Sequence, residues 1–184
     1  MGTTLRAERD QAVLLVVDLQ EKLLPQIADV DGVLAASAKM IRAAQVLGLP
    51  IVATEQYPKG IGSTEAGIRE LLADVPVIEK MTFSSCGVEP ARTRLSELGR
   101  PHVVVVGIEA HVCVQQTVLD LIELAYVPFV LADAVSSRNP DDRDVALLRM
   151  RQAGAIVTST EAIVFELCRE AGTLMFKELL PLIK

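Results

Sequence analysis

The chain has 184 residues, 51% of them apolar, and a formal net charge of −6. That length and composition suit one folded domain over residues 1–184 and exclude a disordered chain. The acidic balance and the lack of a basic cluster argue against nucleic acid or an anionic membrane as a partner.

In chain order, short apolar runs alternate with longer amphipathic stretches. Ala12–Val17 is the first predicted strand, and the residues before it, Met1 to Gln11, lack the apolar core of a signal peptide. Val33–Leu47 has helical spacing and ends at Gly48, a C-cap residue. Ile51–Thr54 is a second strand. Tyr57–Ser63 is a loop with one proline and two glycines, followed by a short helix over Glu65–Leu72. Val75–Ile78 is a third strand, and Pro90–Leu98 a helix with proline in its first turn and Gly99 after its end. His102–Val106 is a fourth strand, Cys113–Ala125 a helix, and Pro128–Leu131 a fifth strand. Asp141–Ala153 is a helix closed by Gly154, and Ala155–Thr158 a sixth strand. Thr160–Arg169 and Thr173–Leu180 are the closing helices.

Strands rich in β-branched residues, each followed by a helix, predict a six-stranded parallel sheet covered on both faces. The expected fold is therefore a three-layer α/β/α sandwich, doubly wound, of strand order 3-2-1-4-5-6. No apolar run is long enough to span a membrane, which makes the cytoplasm the expected location. Such sheets bind ligands beyond the carboxyl ends of the strands, where the strand order reverses.

Three reactive residue types fall at three of those ends. Asp18 follows the first strand in Val16-Val17-Asp18-Leu19-Gln20; it is a base, a cation ligand or a helix cap. Lys80 closes Glu79-Lys80 after the third strand; it neutralises a carboxylate, or it is a solvated strand-end charge. Cys113 opens the helix after the fourth strand, where the helix dipole and free backbone N–H groups favour thiolate and could hold an oxyanion. Read alone, Cys113 is equally a small buried filler. Strands one and four are neighbours at the switch point, so Asp18 and the Cys113 helix would share one crevice.

Other chemistries lack their signatures. The turn after the first strand has no GxGxxG, and the chain has no phosphate-binding GxxxxGK[ST] loop and no GxSxG elbow. The three cysteines, Cys86, Cys113 and Cys168, are widely spaced, and His102 and His111 are the only histidines. No disulfide framework, zinc site or cofactor follows from them. Cys86 sits in the loop Phe83-Ser84-Ser85-Cys86-Gly87 without a helix N-terminus or partner base and reads as a structural or pocket residue; Cys168 lies mid-helix and reads as core filler or a helix-face thiol.

With these residues in hand, the chain resembles the isochorismatase-like cysteine hydrolases from Ala12 to about Leu167. The resemblance rests on Val16-Val17-Asp18-Leu19-Gln20, on Lys80, and most specifically on Gly107-Ile108-Glu109-Ala110-His111-Val112-Cys113-Val114. It implies a catalytic triad of Asp18, Lys80 and Cys113. It also implies a cis peptide at Ile108–Glu109, which would aim the Glu109 N–H into the crevice beside that of Cys113 as a two-donor oxyanion hole. Gln20, Tyr57 and Phe83, each just past a strand end, are expected as substrate-binding walls. Nicotinamidases in this family carry a metal after the second strand, but here Thr54-Glu55-Gln56-Tyr57-Pro58-Lys59-Gly60 has no histidine, so no metal is expected. True isochorismatases cleave a vinyl ether without a thiol, whereas Cys113 points to a small substrate with a C–N or other acyl bond. A modest fall from the ordinary thiol pKa of about 8.5 would supply thiolate. The family also implies a homo-oligomer, with Leu174–Ile183 as a candidate contact. The alternatives are a non-catalytic scaffold and a redox-sensing thiol protein on the same fold.

Overall fold

The computed structural model describes residues 6–183, so the ends of the 1–184 span and the first five residues of the Met1–Gln11 segment lie outside it. Six parallel strands form one sheet in the order β3-β2-β1-β4-β5-β6, as the sequence predicts. They are β1 Ala12–Val17, β2 Ile51–Gln56, β3 Val77–Lys80, β4 His102–Ile108, β5 Val127–Ser136 and β6 Ile156–Thr158. The helices are α1 Val30–Leu47, α2 Pro58–Ile61, α3 Ala66–Leu71, α4 Glu89–Leu98, α5 Gln115–Glu123, α6 Pro140–Ala153, α7 Thr160–Cys168 and α8 Leu174–Ile183. Among the described residues no helix is long and apolar enough to cross a membrane.

The valine run of β4 shows why this sequence makes a two-faced sheet. Side chains alternate across a strand. Val104 and Val106 join the core with Leu14, Val16, Met40 and Phe129, while Val103 and Val105 join the opposite core with Val13, Leu15, Val118 and Met150. Every residue of β1 and β4 is buried, and each buried valine, leucine or isoleucine among them contributes roughly 1.5–3 kcal/mol. Edge strand β6 is only half-buried.

The elements differ from expectation mainly where polar residues sit in strands. β2 and β3 run past their apolar stretches to Gln56 and Lys80, which stand opposite one another in register. Those polar side chains are hydrogen-bonded inside the molecule, so the strands continue (see below). β5 reaches Ser136 rather than Leu131, through a register irregularity against Val105–Gly107. Its Asp133 accepts hydrogen bonds from the Thr160 backbone N–H and hydroxyl, which satisfies a charge in mid-strand. The loop expected at Tyr57–Ser63 contains the short α2. α8 packs on α1 and α7, with Leu179 and Ile183 buried, so much of the Leu174–Ile183 stretch covers its own chain.

Candidate functional site

Strand β1 ends at Val17, and Asp18 turns away with a left-handed φ of 51°. Aspartate tolerates that conformation better than most residues. Across the switch point Gly107, with φ of 125°, lies against β1; a Cβ there would fall 2.0 Å from the Val17 carbonyl oxygen. Only glycine fits, which is why the valine run ends there. Val17 pairs in register with Thr54 on one side and Gly107 on the other. Asp18 therefore leaves the sheet between β2 and β4.

Lys80 reaches it from β3, over β2. Its Nζ donates to Asp18 Oδ2 at 2.6 Å, Phe83 O at 2.8 Å, Gln56 Oε1 at 2.9 Å and Thr82 O at 3.3 Å. Both side chains of the ion pair are fully buried. Asp18 Oδ1 accepts from the Thr54 hydroxyl at 2.8 Å. A buried pair stays charged only when its remaining lone pairs and protons are satisfied, and these are.

Cys113 lies on one turn of π-helix, Ala110–Val114, that precedes α5. Such turns recur at functional sites. The helix expected to start at Cys113 thus begins as this looser turn, whose Val112 and Val114 N–H groups both bond the Glu109 carbonyl. Asp18 and Lys80 stand near the buried thiol, and both act on it by charge. The Ile108–Glu109 peptide is cis. The structure thus brings Asp18, Lys80 and Cys113 together, with the Glu109 turn beside them.

The electrostatics correct one expectation. Cys113 is not depressed toward thiolate; burial first, then the charge of Asp18, push the thiol up to about 12 against the opposing pull of Lys80. A helix dipole acts within its first turn, and here desolvation outweighs it. Burial also raises Asp18, opposed by Lys80, Thr54 and Cys113. At neutral pH the resting thiol is therefore neutral.

Of the expected pocket walls, Tyr57 and Phe83 are half-exposed, and neighbouring Met81 is more exposed still. Gln20 is a correction. It is fully buried, its amide N–H donates to the carbonyls of Gln56 and Gly62, and its oxygen accepts from the Gln56 N–H. It ties the end of β1 to the end of β2 and has no amide atom left for a substrate.

Several site residues escaped the sequence reading. Gln56 holds Lys80, and Thr54 holds Asp18; both were visible as polar residues at the end of an apolar run. Arg138, from the segment after β5, grips the Glu109 carboxylate with its Nε and backbone N–H at 3.0 and 3.1 Å. Ser84 and Ser85 tie the loop after β3 to α5 through Asp120 and Thr117. No local signal pointed to those contacts. His111 bonds Ser137 at 2.9 Å, consistent with a loop role, and His102 accepts from the Glu8 N–H at the amino end of β4.

Among the described residues no cluster of three or more His, Cys, Asp or Glu side chains could hold a metal. Near the end of β2, the Glu55 carboxylate accepts from the Thr64 N–H and hydroxyl.

The isochorismatase domain model matches residues 12–162. Isochorismatase family protein 1B of Dictyostelium discoideum is 39% identical, over 95% of this chain and 87% of that protein. The secreted isochorismatase effector Isc1 of Phytophthora sojae is 40% identical, over 94% of this chain and 84% of that one. The structure of the Caenorhabditis elegans protein named MAR1 ribonuclease superposes with a TM-score of 0.92, at 41% identity, over 97% of this chain and 92% of that one. The chain belongs to the isochorismatase family and has that family's hydrolase fold.

Proposed function

We propose that this protein is a cysteine hydrolase that cleaves the C–N bond of a small amide-type substrate through a thioester. The observation that carries this reading is the fully buried Asp18–Lys80 pair, 2.6 Å apart, placed against the Cys113 thiol at the switch point of the sheet.

In this mechanism the Cys113 sulfur attacks the carbonyl carbon while its proton passes to Asp18. Because the resting thiol is pushed up to about 12, attack and proton transfer are coupled rather than sequential. The N–H groups of Glu109 and Cys113 bind the oxyanion, each worth roughly 3 kcal/mol in other enzymes. Arg138 steadies the Glu109 turn by holding its carboxylate. Asp18 returns the proton to the leaving nitrogen as the C–N bond breaks, which frees the amine and leaves the thioester. Water, deprotonated by Asp18, then attacks the thioester; the acid departs and the thiol recovers its proton. Lys80 keeps the Asp18 carboxylate charged and in place throughout. Tyr57 and Phe83 stand past the carboxyl ends of β2 and β3 as walls of the crevice mouth.

This scheme uses no metal or cofactor. A ribonuclease activity like that named for the nematode protein sits poorly with a net charge of −6 and with two histidines that stand outside the Asp18–Lys80–Cys113 cluster. A homo-oligomeric enzyme in the cytoplasm completes the proposal.

The test is a panel of small amides, ureas and carbamoyl compounds, read by ammonia or amine release. Cys113→Ala should lower release by at least about 10³-fold with the fold intact, while Cys86→Ala keeps most of it. Turnover that survives Cys113→Ala would sink the mechanism.

A further inference from the structure

Asp18 faces opposing demands. As a base it must rest in its charged form, yet it is fully buried, where water cannot stabilise that charge. Lys80 satisfies Oδ2. The other oxygen, Oδ1, is held by Thr54, itself buried on β2. Behind Thr54, its hydroxyl 3.4 Å from that of Thr54, stands Ser85, fully buried in the loop after β3.

The direction of these hydrogen bonds follows from what each atom can do. A carboxylate only accepts, so the Thr54 proton points to Asp18. Among the described residues, Thr54 Oγ1 is the one hydrogen-bond partner of the Ser85 hydroxyl. The Ser85 proton therefore points to Thr54, and both hydroxyls are polarised toward Asp18. Ser85 is held in place because its backbone N–H donates to Thr117 Oγ1 at 2.8 Å, and Thr117 lies on α5, just beyond the turn that carries Cys113.

We propose that Thr54 and Ser85 form a two-hydroxyl chain that keeps Asp18 in its charged, proton-accepting form in the resting site. Both are positioning residues and touch no substrate. The chain joins the three segments that make the site: Asp18 after β1, Thr54 on β2, and the Ser85 loop pinned to α5. The titratable groups acting on Asp18 are Lys80 from β3 and Cys113 from the turn after β4; β2 contributes the uncharged Thr54, whose hydrogen bond lowers the carboxyl against the larger upward push of burial.

The inference rests on Asp18 being the base, but its test needs no substrate. The carboxyl-carbon NMR shift of Asp18, assigned by its loss in Asp18→Asn, is followed against pH. Thr54→Val removes the donor and should move the midpoint up by about one pH unit. Ser85→Ala should move it the same way by a few tenths of a unit, roughly the cooperative share of one hydrogen bond. Thr54→Ser restores the hydroxyl and should stay near wild type. An unshifted midpoint in Thr54→Val, an unshifted or lowered midpoint in Ser85→Ala, or a Thr54→Ser midpoint raised by about one pH unit would overturn the chain. If Thr54→Val does not fold, the other two variants still decide. Shifted midpoints in a protein that hydrolyses no amide would refute the functional reading and leave the hydroxyl chain standing.

Discussion

Two thiols of this protein look alike by burial and unlike by company. Cys86, in the loop after β3, and Cys113, in the turn after β4, are both free and buried, and both are pushed up to about 12. Each has a carboxylate and a cation nearby: Asp120 and Arg92 for Cys86, Asp18 and Lys80 for Cys113. The difference lies in what those partners are free to do. Asp120 already accepts from Ser84, and the Arg92 guanidinium donates to the Cys86 carbonyl at 2.7 Å. Around Cys113, by contrast, the nearby carboxylate is Asp18, whose charge a fully buried cation balances. A perturbed thiol thus marks burial; the buried Asp18–Lys80 pair beside it is what sets Cys113 apart.

The strongest way to break the comparison is to remove each cation. Lys80→Met leaves the buried Asp18 without its counter-charge and should cost about 3–5 kcal/mol in denaturant unfolding. Asp18, already raised, would rise further, and it then holds its proton in the folded state to higher pH than in the unfolded state. Stability of this variant should therefore fall as pH rises, so the loss is larger at pH 8 than at pH 5. Arg92→Met removes an exposed side chain and should change stability by less than about 1 kcal/mol. Equal losses in the two variants would mean that Asp18–Lys80 is no more than an ordinary ion pair.

The sequence was informative about Asp18, Lys80 and Cys113 for a reason that also explains what it missed. A parallel sheet makes apolar runs end at one edge, so a reactive residue directly after such a run is placed by topology alone. β-branched runs separated by helical spacing imply a parallel sheet, and the strand order came from the doubly wound arrangement such sheets adopt. Arg138 and Ser85 act through contacts between loops distant in the chain, and no periodicity encodes those. Gln20 was placed correctly past β1, but its role depends on two backbone carbonyls and one N–H that only the folded loops bring to it. The thiol was misjudged because the helix dipole is legible in sequence while depth of burial is not.

Alkylation sharpens the contrast at a smaller scale. With iodoacetamide at pH 8 and peptide-resolved mass spectrometry, Cys113 should react at least about ten times faster than Cys86, because Asp18 accepts its proton as the sulfur attacks. Asp18→Asn removes that acceptor and should bring the two rates together. If Cys113 keeps its lead in Asp18→Asn, accessibility rather than the base sets its reactivity.

The smallest effect is in alkaline stability, where the two thiols should behave alike. A thiol whose folded pKa is about 12 keeps its proton while the unfolded chain, with a thiol near 9, has lost it. The folded state then binds more protons, so stability is intact below about pH 9 and falls as pH rises toward 12, by roughly 1 kcal/mol per pH unit for each thiol. Cys86→Ala should remove about half of that slope between pH 9 and 11, after its own cavity cost is subtracted as a pH-independent offset. Cys113→Ala should remove the other half. A slope unchanged in both variants would mean that neither thiol is held protonated by the fold, and the coupled attack and proton transfer proposed for Cys113 would give way to a preformed thiolate.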